Sequence, residues 1–432
     1  MSEAVERWLT ANALHLKTVS PGGPFDDLEP LREVLRDVRV IGMGESTHGT
    51  REFFRLKHRV FQFLVHDMGF TVLAMEASES AARAVDAYVN GGPGDAARLI
   101  ARLGFWTWRT EEIVEMVEWM REHNRTAPEA KRVRFVGIDP QRCADSAERV
   151  SGFLREVSPE RADADRNLLD LLARARPGTA VDPEQRLRAA ADDLTGFLEG
   201  HRAEFAARTS PGAAEEAVWH ARALARAADL VTRPLHGVSV EESALAVRDA
   251  YMAEAVISLL QSTRHRVAVW GHNGHIATGT YANGVPALGS LLRRRHGDAY
   301  YALGLLFGEG TFLARRGSDL EGRPVPHRLR RGIRSIEARL AAAVPGDYLL
   351  DFRGAEPGSA AGEWLRERHS QRSFGANVPR LTYRFNVAPL VPALEYDGIA
   401  FVAVSRCSHL LPLPPSEETT NVPHKRCSQR DI

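Results

Sequence analysis

The segment Val38–His48, VRVIGMGESTH, restricts the fold more than any other part of the chain. A short apolar run ends in glycines and is followed by a glutamate and a histidine. Apolar runs of this length, bounded by turn signals, are typical of strands buried in a parallel sheet. Catalytic and ligand-binding groups in open α/β sheets collect just beyond the carboxyl ends of such strands. We therefore expect Glu45 and His48 at one edge of a parallel sheet.

The same pattern occurs three more times along the chain. FTVLAME ends on Glu76, VRFVGID ends on Asp139, and RVAVWGHNGH delivers His272 and His275. Helical patterns lie between the first three of these strands, and this alternation is typical of parallel pairing with right-handed crossovers. The sequence thus predicts an α/β fold with a mostly parallel central sheet flanked by helices, and a site at the strand ends.

The domain organisation is predicted from where strand patterns are present. Further strands are expected at YYALGLLF, DYLLDF and YDGIAFVAV, whereas residues 145–261 contain only helical patterns. We predict an α/β catalytic core of residues 1–144 and 262–410, with a large helical insertion or lid over residues 145–261. The polar, proline-bearing residues 411–432 are predicted to form a flexible tail.

The composition of the chain limits which classes of binding partner are expected. The chain has 56 basic and 56 acidic residues among 432, and its net charge of zero provides no electrostatic case for binding nucleic acid or an anionic membrane. No export signal or membrane-spanning apolar run is visible, and three widely spaced cysteines do not suggest a disulfide framework. We expect a cytoplasmic protein, and the sequence does not indicate its oligomeric state.

Glu45, His48 and Glu76 are the first candidates for catalysis. A carboxylate beside an imidazole raises the histidine pKa and selects its tautomer, which suits a general base that activates water. The alternative is that Glu45 caps a helix and His48 is a satisfied loop histidine. Glu76 follows an apolar run, and a buried carboxylate needs a cationic partner, so we favour a functional role for it.

His272 and His275 have a spacing that also suits metal ligands. A zinc or manganese site could be formed by Glu45, His48, Glu76 and His272. The sequence lacks HExxH and CxxC patterns, however, so we expect neither a metal nor another cofactor. The absence of GxSxG disfavours a serine triad, and the glycine spacing does not fit a nucleotide-binding loop.

Two more pairs are candidates for substrate binding. Trp106 and Trp108 lie in the FWTW turn, where they would either pack on the core or form a wall of an apolar substrate pocket, and we favour the pocket. Arg248 and Asp249 are predicted at the start of the helix before the WGHNGH strand. An acidic residue in a first helical turn is ordinary, so this pair indicates little by itself.

Taken together, the motifs GESTHG, LAMEAS, FWTW, VGIDPQ, RDAYMAE and WGHNGHIA resemble those of the erythromycin esterase family. The resemblance runs in order from Gly42 to at least Ala277, and more weakly to Phe401. It implies a metal-independent hydrolase that opens the macrocyclic lactone of macrolides. The implied partner is a small hydrophobic molecule, a macrolide or a polyketide-like compound.

The resemblance also implies roles for individual residues. His48 would be the base that activates water, oriented by Glu45 and Glu76. His272 and His275 would contribute to the same cleft, His272 to catalysis and His275 to substrate binding. A basic residue of the first helix belongs to the family site.

That basic residue corresponds to Lys57 here, where one type of family member has arginine. Lysine keeps the charge but loses the bidentate geometry, so we list Lys57 only as a substrate-binding candidate. Two other functions use the same side chains: a non-hydrolytic tailoring reaction on a natural product (cyclisation, elimination or acyl transfer), and metal-dependent hydrolysis. A pure binding protein fits least, because it does not need so many titratable groups at strand ends.

Overall fold

The computed structural model describes residues 1–412, except 178–184, 235–238, 241, 263, 282–283, 318–321, 333 and 381. The strands in chain order are β1 (Leu14–His15), β2 (Val40–Met43), β3 (Val72–Ser78), β4 (Arg134–Asp139), β5 (Val267–Trp270), β6 (Tyr300–Arg316), β7 (Val325–Leu329), β8 (Tyr348–Asp351), β9 (His369–Arg372), β10 (Asn377–Val378), β11 (Val387–Leu390) and β12 (Gly398–Ser405).

A large central sheet organises the fold. Its strand order is β1-β8-β12-β6-β2-β5-β3-β4, and all neighbours from β12 to β4 are parallel. At the other end of the sheet, β8 runs antiparallel to β12 and β1 antiparallel to β8, while β7 runs antiparallel to the long strand β6. The predicted α/β fold with a mostly parallel sheet is therefore confirmed.

Helices surround the sheet and extend beyond it. They are α1 (Glu3–Asn12), α2 (Leu31–Val34), α3 (Arg51–Met68), α4 (Ala82–Val89), α5 (Ala96–Ala101), α6 (Glu111–Thr126), α7 (Ala144–Val157), α8 (Pro159–Ala164), α9 (Arg166–Arg174), α10 (Arg186–Gly200), α11 (Arg202–Arg208), α12 (Pro211–Val231), α13 (Ala244–Leu259), α14 (Asn273–Ile276), α15 (Leu288–His296), α16 (Ile336–Ala343), α17 (Ala360–Arg366) and α18 (Pro392–Glu395). None of the described helices is long and apolar enough to cross a membrane.

Successive side chains along each strand point to opposite faces of the sheet, and they contribute to two hydrophobic cores, one on each face. Met43, Met75 and Trp270 pack with α3, α4 and α6 on one face. Val40 and Val269 pack with α1, α13, α15 and α16 on the other face. The strand runs are apolar at nearly every position because helices cover both faces.

A third hydrophobic cluster lies within the helical region of α7 to α12. Helix α13 instead contributes Met252, Ala253 and Val256 to the core on the sheet. The division of the chain at residues 145 and 261 stays a prediction. Of the predicted tail, residues 413–432 lie outside the described residues, whereas the Leu411 N–H donates to the Arg109 carbonyl at 3.0 Å.

Several element boundaries differ from the predicted ones. Strand β3 continues to Ser78, so Glu76 lies within the strand instead of beyond it. Helix α13 begins at Ala244 behind the N-cap Ser243, which places Arg248 in its second turn. Helix α3 ends at Gly69, which adopts the left-handed conformation with φ of 72°.

Candidate active site

The site is assembled by three adjacent strands, β2, β5 and β3, which are in register near their carboxyl ends. In the register of the sheet, Trp270 of β5 pairs with Met43 of β2 on one side and with Met75 of β3 on the other. The residues that follow, Gly44, Gly271 and Glu76, therefore lie side by side. The loop carrying Glu45 and His48 and the loop carrying His272 and His275 leave the sheet at the same edge.

Close packing joins the loop after β2, which carries Glu45, to the loop after β5, which carries Asn273. The Asn273 side chain accepts from the Leu305 N–H at 3.0 Å and donates to the Leu305 carbonyl at 2.9 Å, and its backbone N–H donates to the Glu45 carbonyl at 2.9 Å. A Cβ atom at Gly44 would lie 2.1 Å from Asn273 Oδ1. Only glycine fits there, because a side chain would displace the amide that ties the two loops to β6.

Glu45 is fully buried and binds one partner with each carboxylate oxygen. Its Oε1 lies 2.8 Å from His48 Nδ1, and its Oε2 accepts from Lys57 Nζ at 2.7 Å. Lys57 Nζ also donates to the Gly271 carbonyl at 3.1 Å and lies 4.6 Å from the centre of the Trp270 ring. Lys57 is thus enclosed and fully engaged within the protein.

The environment of Lys57 contains opposing effects. Burial lowers the pKa of Lys57 to about 8, although the adjacent Glu45 carboxylate favours the charged ammonium. Loss of that proton would remove the cation that balances Glu45. The ion pair between Lys57 and Glu45 is therefore a buried part of the site.

His48 is held with one ring nitrogen turned inward and the other unengaged. Its side chain is 11% exposed, and within the described part of the chain only Nδ1 makes a hydrogen bond, to Glu45. The Trp108 ring packs edge-on against it with ring centres 5.6 Å apart, and the Trp108 indole N–H donates to the Glu76 carbonyl at 2.7 Å. A carboxylate at Nδ1 selects the tautomer with the Nδ1 proton, which leaves the Nε2 lone pair available.

His272 lies next to His48, with ring centres 5.0 Å apart. Its Nδ1 accepts from the Gly274 N–H at 3.1 Å as the N-cap of α14. The proton of the neutral ring is consequently on Nε2, which lies 3.2 Å from the Phe374 carbonyl oxygen. Burial, together with the nearby His48, lowers the pKa of His272 to about 3, so the ring stays neutral and serves as a donor.

Glu76 is surrounded by positive charge. Its Oε1 accepts from Arg248 Nη2 at 2.6 Å and lies 3.3 Å from His275 Nε2, and its Oε2 accepts from the His272 N–H at 2.8 Å. Burial raises the pKa of Glu76, but the charges of His275 and Arg248 outweigh it and hold that pKa well below its usual value. Glu76 is a permanently charged carboxylate that fixes the backbone of the His272 loop.

Arg248 binds two strand ends at once. Its Nη2 donates to Glu76 Oε1 and to Asp139 Oδ2, both at 2.6 Å, and Nε also lies 3.2 Å from Asp139 Oδ2. Asp139 is fully buried and accepts from the Gln141 side chain at 2.6 Å. Arg248 thus connects α13 to the ends of β3 and β4.

His275 lies between carboxylates. Its Nδ1 is 2.8 Å from Asp249 Oδ1 and 2.7 Å from the Tyr281 hydroxyl, which is itself 3.0 Å from Asp249 Oδ2. Burial lowers the pKa of His275, but Asp249 and Glu76 raise it to about 10. Nε2 also lies 2.8 Å from Arg248 Nη1, which can only donate. Asp249 and Glu76 favour the charged ring, whereas the Arg248 contact is a hydrogen bond only when Nε2 accepts and the ring proton is on Nδ1, facing Asp249.

The structure brings nearly all of the predicted site residues into one connected cluster. His48 and His272 reach the partly exposed surface of the cleft, whereas the following residues are buried behind it: Glu45, Lys57, Glu76, Trp108, Asp249 and His275. Trp106 is buried two residues before Trp108, and the rings of the described residues that pack on His48 are those of Trp108 and His272 instead. The roles of all of these residues stay predictions.

Three parts of the cluster were not predicted from the sequence. Asn273 and Tyr281 lie in or just after the WGHNGH motif, and their polar side chains in an apolar context were the available signal. The Phe374 carbonyl faces His272 from a segment about one hundred residues away, and a backbone acceptor has no signature in a sequence.

The donor set was also tested for a metal. Among the described residues, no group of three or more His, Cys, Asp or Glu side chains is arranged to hold a metal ion. Glu45 and Glu76 are each engaged by a cationic side chain instead.

A cavity of about 1010 Å³ lies elsewhere, beside the edge strand β4. Side chains of α4, α12 and α13 line it, among them Arg83, which stacks on Trp219 with 4.5 Å to the ring centre. His48 and His272 do not contribute to this cavity, so its volume is no measure of the catalytic cleft.

Comparison with known proteins shows which family of sequences the chain matches. A family model described as erythromycin esterase matches residues 65–405. "Erythromycin esterase type II" from Escherichia coli is 31% identical over 159 residues, which cover 36% of this chain and only 37% of that protein. "Putative hydrolase YbfO" from Bacillus subtilis is 24% identical over 425 residues, covering 92% of this chain and 90% of that protein.

Solved structures share the fold at lower identity. A succinoglycan biosynthesis protein has a TM-score of 0.76 at 22% identity, covering 95% of this chain and all of its own. A Bacillus cereus protein has a TM-score of 0.77 at 20% identity, with the same coverage. A mutant of the erythromycin esterase EreC in its open conformation has a TM-score of 0.67 at 17% identity, covering 91% and 98% of the two chains.

Proposed function

Because this chain belongs to the erythromycin esterase family, we propose that it hydrolyses a carboxylic ester, the lactone of a macrolide or a related natural product. The proposed reaction uses water activated by His48, without a covalent intermediate on the enzyme. The observation that carries the proposal is the His48 ring, with Nδ1 held 2.8 Å from Glu45 and Nε2 unengaged among the described residues.

The proton transfers follow from this geometry. His48 Nε2 takes a proton from water as the water oxygen attacks the ester carbonyl carbon. Glu45 stabilises the imidazolium that forms, and Lys57 keeps Glu45 charged and oriented. The tetrahedral intermediate expels the alkoxide, which receives the proton from His48, so that one water is added and one acid and one alcohol group are produced.

His272 is suited to the developing negative charge. Its ring is neutral and carries a proton on Nε2, close to His48. In the proposed reaction this N–H turns from the Phe374 carbonyl to the substrate oxygen, which gains charge in the transition state. Glu76, Arg248, Asp249 and His275 act behind it as positioning residues.

The direct test is mass spectrometry of the products formed from a panel of macrolides of differing ring size. Wild-type protein is expected to add one water to at least one of them, and His48→Ala to reduce that rate by at least about 100-fold. His66→Ala is the matched control, because His66 lies on α3 outside the cleft. Retention of most of the rate in His48→Ala would show that the assigned base is wrong.

Other outcomes identify the alternative chemistries. A product that forms without gain of water indicates a tailoring reaction such as cyclisation or elimination. Activity that disappears after chelation and returns with a divalent cation indicates metal-dependent hydrolysis. Both experiments use the full-length protein.

A further inference from the structure

Arg142 is a cation without a counter-ion, close to the candidate site. Its guanidinium Nε and Nη1 atoms are buried and have no hydrogen-bond partner among the described residues. The guanidinium makes a cation–π contact with the Phe105 ring, whose centre lies 5.2 Å away. Arg142 itself is half-buried. Buried donors without acceptors are costly, so the contacts among the described residues do not explain these two nitrogens.

Neighbouring arginines behave differently. Arg102 pairs with Asp145 at 2.9 Å and with Glu148 at 2.6 Å, and Arg226 pairs with Glu79 at 2.8 Å. Within the described part of the chain, no carboxylate lies in ion-pair range of Arg142. Arg142 therefore differs from these two neighbours, although a single buried Nε also lacks a hydrogen-bond partner at other arginines, among them Arg51 and Arg59.

A second buried donor without an acceptor lies on the turn that carries Phe105. The Trp106 indole Nε1 is buried and also lacks an acceptor among the described residues. Trp106 directly follows Phe105, on whose ring Arg142 stacks. Two donors and an aromatic surface, with no acceptor supplied by the protein, match an acceptor-rich ligand.

The position of Arg142 connects it to the reaction centre. The Ser78 hydroxyl donates to the Arg142 carbonyl at 2.6 Å, and Ser78 lies two residues after Glu76 on β3. The turn that carries Phe105 and Trp106 continues to Trp108, which packs against His48. Arg142 therefore lies at the same edge of the sheet, toward the β4 end of the cleft.

We infer that Arg142 binds a negatively charged oxygen group of the substrate, a carboxylate or a phosphate that is separate from the bond being cleaved. Guanidinium groups form bidentate, charge-assisted hydrogen bonds with such anions, and Trp106 Nε1 adds a further donor. The inference rests on the proposed ester hydrolysis. It adds that the preferred substrate is anionic.

The test measures binding separately from turnover. Two amides without an ester bond are titrated calorimetrically, glutaric acid mono(4-nitroanilide) and the neutral analogue in which a primary carboxamide replaces the carboxylate. Wild type is expected to bind the carboxylate at least about 10-fold more tightly than the neutral ligand. Arg142→Ala should lose this preference, and Arg142→Lys should keep part of it because the charge remains.

Arg149→Ala is the control, since Arg149 is an exposed arginine of α7 that lies seven residues further along the chain. A third ligand with a phosphate in place of the carboxylate separates the two classes of anion. Circular dichroism establishes that each variant is folded.

Turnover of the corresponding 4-nitrophenyl esters is then measured. Loss of the carboxylate preference in Arg142→Ala supports the inference even if neither ester is hydrolysed, in which case the proposed hydrolysis fails alone. Equal binding of the charged and neutral ligands by wild type, or an unchanged preference in Arg142→Ala, overturns the inference even if hydrolysis is observed.

Discussion

At the level of single residues, the balance of charge around Glu45 determines whether His48 is held in a useful form. Glu45 receives Lys57 on one oxygen and His48 on the other, with no exposure to water. An ion pair in such a place adds little net stability, but removal of one partner leaves an uncompensated buried charge. Lys57 therefore matters chiefly through its effect on Glu45.

Lys57→Met tests this dependence with a side chain of similar volume. We expect the free energy of unfolding to fall by about 3–5 kcal/mol, because Glu45 then remains buried without its cation or takes up a proton. Chemical denaturation measures the loss. Lys17→Met serves as control, since the Lys17–Asp26 pair is exposed and its removal should leave stability unchanged. An equal effect of the two substitutions would contradict the assignment.

At the level of secondary-structure elements, the loop after β2 is positioned by contact with the loop after β5. Gly44 allows the Asn273 amide to approach the backbone closely and to bind both Leu305 groups on β6. Because Glu45 follows Gly44 directly, the same contact places the catalytic candidate. The strand ends alone would not orient it.

Gly44→Ala is expected to destabilise the protein by about 2–4 kcal/mol, because the new methyl group collides with Asn273 and breaks its hydrogen bonds. Activity should decrease as well, since Glu45 moves with the loop. The same substitution at Gly152 of α7, where no atom lies within 4 Å of the new Cβ, should instead stabilise by about 0.5–1 kcal/mol. Thermal or urea unfolding of the two variants provides the comparison, and an equal sign of both effects would refute the argument.

At the level of the whole molecule, buried neutral histidines couple stability to pH. His58 of α3 packs on Trp119 and has its Nε2 3.2 Å from the Gln62 amide nitrogen. Burial lowers the pKa of His58 from 6.5 to about 3, with a smaller contribution from Arg55. His272 is affected in the same direction. The folded protein thus resists protonation of side chains that the unfolded chain protonates readily.

The free energy of unfolding should consequently decrease as the pH is lowered from 7 to 5. Below the unfolded-state pKa of 6.5, only the unfolded chain takes up the proton at His58, and each such histidine adds a slope of up to about 1.4 kcal/mol per pH unit. His58→Gln, which stays neutral, should reduce this slope. His15→Gln, at an exposed histidine, should not. Urea denaturation at several pH values measures the slopes, and identical slopes in wild type and His58→Gln would exclude the mechanism.

Much of the arrangement followed from local patterns in the sequence. Apolar runs that end in Glu45, Glu76, Asp139 and His272 predicted a parallel sheet with chemistry at its carboxyl edge, and the sheet is confirmed. A buried carboxylate at Glu76 was expected to need a cationic partner, and Arg248 occupies that position. These predictions succeed because a buried strand needs a run of apolar residues and a buried carboxylate needs a cationic partner, and both requirements are visible within a few residues of sequence.

The remaining features were decided by tertiary structure. Strand β5 inserts between β2 and β3 although it follows them by about two hundred residues, and only this order brings His272 beside His48. Lys57 lies on a helix whose pattern does not reveal that its amine reaches Glu45. That contact depends on how far apart the packed elements lie. The spacing of residues along one element does not reveal this distance. The sequence by itself determined which side chains lie at the strand ends, whereas the packing of distant segments decided their partners, protonation and access to a substrate.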